Sequence, residues 1–312
     1  MTSVSSEGRA GAPTPEVPPI TIGPERSGWR RSIPFLKEVP FVVLLAGFSV
    51  LFIYPFLWLI STSLKTRGEV FDNKLIPHPF AHDVFHNYVK IWSVAPFLRW
   101  FANSMYISIL AAVLVTFASA LTAFAFAYFR FPLRNFLFGC VLATMMLPTV
   151  VTMIPVYLIW HHIGLSTSQV PLWAPNLFGS AFYIFLQRQF FMGIPRQYFE
   201  AARMDGDNYF TMFWRIALPM AKPALIVTFL FEFKAKWNDL MTPLIYLHGY
   251  HQYTVPLGLY DLLGVYSPSA GGQGDYEWLM AAFVISTVPL LLIFAFGQRY
   301  FVRGITLQGY KG

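Results

Sequence analysis

The chain has 312 residues, of which 56% are hydrophobic, 18% aromatic and only 12% charged. Soluble globular domains carry about 25% charged residues, so half that share excludes water as the main solvent. The net charge of +7 is not gathered on one segment but falls at the ends of apolar runs, which excludes a nucleic-acid surface and points to a membrane.

Residues 1–37 are polar and basic, rich in Ser, Pro, Gly and Thr at first, and read as a disordered cytosolic tail ending in Arg26, Arg30, Arg31 and Lys37. The apolar run that follows is too long for a signal-peptide core and reads as an uncleaved anchor. A helix needs about 20 mainly apolar residues to cross a bilayer. Six stretches meet this in outline, at about 39–60, 104–129, 136–160, 172–190, 223–247 and 278–298. The expected fold is therefore an all-α membrane protein of six transmembrane helices, a domain over 38–303, with a short tail at 304–312. Pro148 and Pro155 are expected to kink the third span.

Lys and Arg gather on the cytosolic side of membrane proteins. With the N-terminus in the cytosol, fifteen of them fall inside. Only Lys65, Arg67, Lys74, Lys90 and Arg99 fall outside, all in the first outer loop. Both termini and the segment 191–222 are thus expected in the cytosol of a cell bounded by a cytoplasmic membrane. The outer loop from His248 to Glu277 contains Gly-Gly-Gln-Gly at 271–274 and is a plausible mobile docking surface.

Segment 191–222 is too structured for a simple connection. Pro195 opens it, Gln197 to Asp205 has helix-forming composition, and Gly206 supplies a reversal that a residue with a Cβ resists. Asn208 to Ala217 can form a second short helix, stopped by Pro219. Ala201 and Ala202 are small enough for the first helix to sit deep in a groove of another protein. The bland reading of this patch is an amphipathic helix resting on the bilayer.

The spacing is more specific than that. Glu200-Ala201-Ala202, three residues, Gly206, nine residues, then Ile216-Ala217-Leu218-Pro219 resembles the loop by which permease subunits of binding-protein-dependent ABC importers hold their ATPase. Met146-Leu147-Pro148 through Met153-Ile154-Pro155, Trp237-Asn238-Asp239 and Gln298 to Gly304 are similar to carbohydrate-importer permeases of the maltose-permease G-subunit type, which includes glycerol-3-phosphate and trehalose systems. Only the N-terminal tail departs from that pattern. The resemblance implies a transport subunit, not an enzyme, with Glu200, Ala201, Ala202, Arg203, Asp205, Gly206, Leu218 and Pro219 meeting the ATPase. It implies as partners a second permease, two ATP-binding cassette subunits, an extracytoplasmic solute-binding protein and a sugar. ATP and Mg would be bound by the ATPase subunits, leaving no cofactor for this chain. It also places the tail between the ATPases, with Tyr310 and Lys311 as contacts, where the alternative is a basic anchor on lipid phosphates.

The fifth span carries Glu232, Lys234, Lys236 and Asp239. Charges inside a membrane face a bundle interior or water. Glu232 and Lys236 are four residues apart, and Lys236 and Asp239 three apart, so they can pair on a helix. They are read either as an interior ion pair or, with Asn238, as a polar wall of the translocation pathway. His161-His162 lacks the converging ligands of a metal site, and no metal is expected. Nothing resembles a P-loop or a nucleophile motif. The alternative function is a self-contained secondary transporter of a small polar solute, but such proteins often carry internal repeats, and none is convincing here.

Overall fold

The computed structural model describes residues 35–76, 85–266 and 276–306. The N-terminal tail up to residue 34, the Gly-rich stretch at 271–274, and Tyr310 with Lys311 lie outside the described residues. The chain divides into two compact units between Ile53 and Tyr54. The described part of the first is the apolar start of α1 (Phe35–Ser63), and all other elements belong to the second.

Among the described residues every regular element is helical. After α1 come α2 (His86–Val94), α3 (Phe97–Tyr128), α4 (Arg134–Thr144), α5 (Thr149–His162), α6 (Val170–Trp173) and α7 (Ala181–Met192). There follow α8 (Gln197–Met204), α9 (Tyr209–Met212), α10 (Leu218–Met220), α11 (Lys222–Trp237), α12 (Met241–Tyr246), α13 (Val255–Tyr266) and α14 (Tyr276–Thr306). Phe213–Ala217, between α9 and α10, is π-helical.

Helix α3 is the axis of the second unit. It contains neither Gly nor Pro, and Arg99 is its only charge. Its buried side includes Ser104, Ser108, Ala111, Ala112, Ser119, Ala120 and Ala123. Small residues let helix backbones approach where no water drives them together, and α7 and α11 both pack on this face. Hydrogen bonds lie at this packing, while Ser108 Oγ and Thr116 Oγ1 are buried without a partner among the described residues. Gln187 Nε2 donates to Thr228 Oγ1 at 3.0 Å, and Ser119 Oγ accepts from the Ser180 amide at 3.1 Å.

The helix begins at Phe97, earlier than the expected 104, because Asn103 and Ser104 are not a hydrated flank. Asn103 Nδ2 donates to the His251 and Tyr253 carbonyls, both at 3.0 Å, and Ser104 Oγ accepts from the Val255 amide at 2.8 Å. The stretch read as an outer loop contains a helix. Helix α13 buries Val255, Leu257, Leu259 and Leu262, and Gly258 is needed there. A Cβ at Gly258 would lie 2.2 Å from the Trp100 ring.

Three described helices are long and apolar enough to cross a membrane: Val39–Ser63, Phe97–Tyr128 and Tyr276–Gln298. The expected third span is two helices, α4 and α5, bent by 97°. The break falls at Pro148, which lacks an amide proton and disfavours helix at the residue before it, whereas Pro155 lies inside α5. The expected span at 172–190 is not one helix either. Short turns around Pro171 and Pro175 lead to Gly179 at φ 76, and α7 starts only at Ala181. Its 12 residues extend about 18 Å, short of the roughly 30 Å of hydrocarbon in a bilayer. The expected fifth span ends at Trp237, and α12 is a separate turn.

Candidate functional site

The segment between α7 and α11 is a helix–turn–helix built on an aromatic core. Phe199 and Ala202, three residues apart on α8, are buried against Phe124, Phe191 and Phe213. The Phe199 ring lies 5.0 Å from Tyr128 and 6.0 Å from Phe124 at the end of α3. Residues three and four apart share a helix face, so burying Phe199 and Ala202 turns Glu200, Ala201, Arg203 and Met204 outward. All four are exposed, Met204 at 89%.

The corner after α8 follows from its residues. The Asp207 amide donates to the Ala202 carbonyl at 2.9 Å, and the Gly206 amide to the Arg203 carbonyl at 3.1 Å. This six-to-one and five-to-two pair is a Schellman motif, which requires a left-handed residue after the helix. Gly206 provides it at φ 85. Asn208 then opens α9, its Oδ1 accepting from the Thr211 amide at 2.8 Å, as a helix cap should. The Arg203 guanidinium lies over the Tyr209 ring at 5.7 Å from its centroid, bracing the two helices across the corner.

The second half of the motif faces inward. Ala217 and Leu218 are buried with Ala221 in the same core, and Ile216 packs against it. The sequence reading placed both alanines in a partner's groove and counted Leu218 among the residues meeting the ATPase. The structure instead uses Ala202 and Leu218 to fasten the knob to its own chain, leaving Ala201 and Pro219 exposed. It also adds apolar residues that the spacing did not single out. Tyr198, Met204, Phe210 and Trp214 are all exposed large side chains on this segment. Their signal was present in the sequence, since a soluble corner rarely spends so many aromatics in water.

The charges of α11 do not pair as their spacing allows. Glu232 is buried, and its Oε1 accepts from Asn176 Nδ2 at 2.6 Å. Tyr183 of α7 lies against the same carboxyl. Asp239 Oδ1 accepts from the Thr242 amide, in the first turn of α12, at 3.1 Å. Asn238 Nδ2 returns to the Lys234 carbonyl at 2.9 Å. The interior ion pair is therefore replaced by a neutral amide partner from the segment before α7, because α11 ends at Trp237 and turns Asp239 away. Lys236 is half-buried and Lys234 exposed. His161 and His162 are exposed at the end of α5, and among the described residues no three His, Cys, Asp or Glu could hold a metal.

This arrangement has relatives. Residues 116–307 match the family of binding-protein-dependent transport system inner membrane components. The chain is 31% identical over 273 residues to the arabinooligosaccharides transport system permease protein AraQ of Bacillus subtilis, covering 85% of this chain and 92% of that one. It is 33% identical over 237 residues to the sn-glycerol-3-phosphate transport system permease protein UgpE of Yersinia enterocolitica, covering 74% and 82%. A chain from the crystal structure of a bacterial ABC transporter involved in import of the acidic polysaccharide alginate shares the fold. That likeness has a TM-score of 0.74 at 24% identity and covers 88% of this chain and 99% of that one. The matched segment contains the knob, its aromatic core and the buried Glu232, and by that match the chain belongs to the inner-membrane permease family of binding-protein-dependent transport systems.

Proposed function

We propose that this chain is one of two permease subunits of an ATP-driven importer of sugars or related polyols and oligosaccharides. The second permease completes the pathway, two ATP-binding cassette subunits bind ATP and Mg, and an extracytoplasmic binding protein delivers the solute. The chain itself catalyses nothing. Several relatives are sugar or polyol permeases by name. One related structure is an alginate ABC transporter in complex with a pentasaccharide-bound periplasmic protein. The crossing of the membrane six times and the cytosolic placement of both termini belong to the same proposal.

The observation that carries the coupling role is the exposed rim of a knob whose inner face is fixed to α3. Glu200, Ala201, Arg203, Asp205, Gly206 and Pro219 are exposed on that rim, and Ala202 and Leu218 set its attachment. A rigid, outward body of this kind passes a domain closure to the helices it is packed on. The Glu200→Lys variant is expected to insert normally but to lose its ATPase on purification. Gly206→Pro, which forbids the φ the corner needs, is expected to do the same. Normal uptake and ATPase recovery in both variants would refute the docking role.

The C-terminal residues Tyr310 and Lys311 are proposed as a second contact, reaching between the ATPases. Deleting Thr306 to Gly312 is expected to lower substrate-stimulated ATP hydrolysis while assembly persists. If hydrolysis and import match the parent, that segment is only an anchor. For Glu232, Lys236, Asn238 and Asp239 the pathway role now rests mainly on Lys236, since the other three are engaged within the chain.

A further inference from the structure

Beside the knob lies a cavity of about 280 Å³, lined by Arg134 at the start of α4, Arg188 on α7 and Arg196 at the start of α8. Tyr128, Phe191 and Phe199 are among its other lining residues, and no Asp or Glu lines it. Three arginines around one cavity repel one another unless an anion joins them. The protein offers them little else. Arg188 is stacked over the Phe138 ring at 4.1 Å, and its Nε is buried without a hydrogen-bond partner. Arg134 reaches the Phe129 carbonyl through a long contact of 3.3 Å. An adjoining surface pocket shares Arg134 and adds Arg130, so the positive lining continues outward.

The surroundings decide what kind of anion fits. From this cavity the chain runs through Leu133 into α4, with Leu133, Phe136 and Leu137 exposed. A soluble phosphate has no use for that surface, whereas the acyl chains of a lipid do. Leu133 itself is held left-handed at φ 62, a conformation costly for a residue with a Cβ. That conformation sets the turn from which Arg130, Arg134 and the apolar face of α4 all depart. Arginine forks match phosphate oxygens, and basic pockets between helices on the cytoplasmic side suit anionic headgroups.

We propose that this cavity binds the phosphate headgroup of an anionic phospholipid, with the acyl chains lying along α4. Phe199 lines the cavity and also anchors α8, so an occupied headgroup site stiffens the inner face of the knob. The lipid would thereby act on the coupling segment without touching its exposed rim.

The full-length chain, released from micelles into a mass spectrometer under non-denaturing conditions, tests this without any transport measurement. Failure is thus distinguishable from failure of the importer reading. The chain is incubated with phosphatidylglycerol or phosphatidylcholine of the same acyl length. Phosphatidylglycerol adducts are expected to outlast phosphatidylcholine adducts. Each arginine replaced by glutamine is expected to reduce that preference about fivefold. Arg188→Gln reads the buried group and Arg196→Gln, at an exposed position, covers the case in which the first variant does not fold. Excess inorganic phosphate is expected to leave the lipid adduct in place. Equal retention of the two lipids, an unchanged preference in Arg196→Gln, or displacement by inorganic phosphate would each overturn the proposal, the last by making the ligand a soluble phosphate.

Discussion

Glu232 illustrates how a single residue can be assigned the wrong partner by spacing alone. Helical periodicity offers Lys236, four residues on, but the carboxylate bonds to Asn176, 56 positions away in sequence. No local pattern carries that information, because it depends on how the segment before α7 folds back on α11. The energetic consequence is specific. A buried polar group deprived of its partner costs about 1–3 kcal/mol. Glu232→Leu is therefore expected to destabilise the protein by roughly that amount, and Asn176→Leu on top of it to recover part of the loss. Lys236→Met is expected to leave stability near the parent. Thermal unfolding of the four proteins in one detergent checks the cycle, and a Lys236→Met loss as large as that of Glu232→Leu would restore the ion-pair picture.

At the scale of elements, the knob was legible in outline and its attachment was not. Gly206 and the charges around it announced a helix, a corner and a second helix, because the Schellman turn and the Asn208 cap are encoded by neighbouring residues. Which side of α8 faces in depends on the aromatic end of α3, and the sequence between them gives no register. Phe199 is the residue that sets it. Removing a buried Phe side chain costs about 3–5 kcal/mol, and here the loss falls on a short helix with few other anchors. Phe199→Ala is expected to raise amide hydrogen exchange across 197–204 while α3 stays protected. Exchange unchanged in that window would mean that α8 is held by something other than its aromatic seat. The broken helices were harder to read for a related reason. A run of apolar residues says that a segment is buried or in lipid, but Pro148 and Gly179 decide whether it is one helix or two.

For the whole molecule, composition alone established a helical membrane protein, and the spaced motif gave the family. The crossings were less legible, since length and hydropathy cannot separate a span from two short helices packed on α3. One feature joins the scales. The segment Tyr209–Met220 and helix α11 are bent by 78° at Ala221, and both arms pack on the same core. The segment of 12 residues and the 16-residue helix measure about 18 and 24 Å, so together they form a bell crank. Were the pair to turn rigidly about Ala221, a displacement across the short arm would become one across the long arm, larger by about a third at its tip. That tip carries Trp237, whose Nε1 donates to the Ser286 carbonyl of α14 at 3.0 Å, so such a turn would reach a second helix. The pivot works only while its angle is held. Ala221→Leu, which overfills it, is expected to lower the solute imported per ATP hydrolysed more than it lowers hydrolysis, and an unchanged ratio would leave the elbow a mere bend.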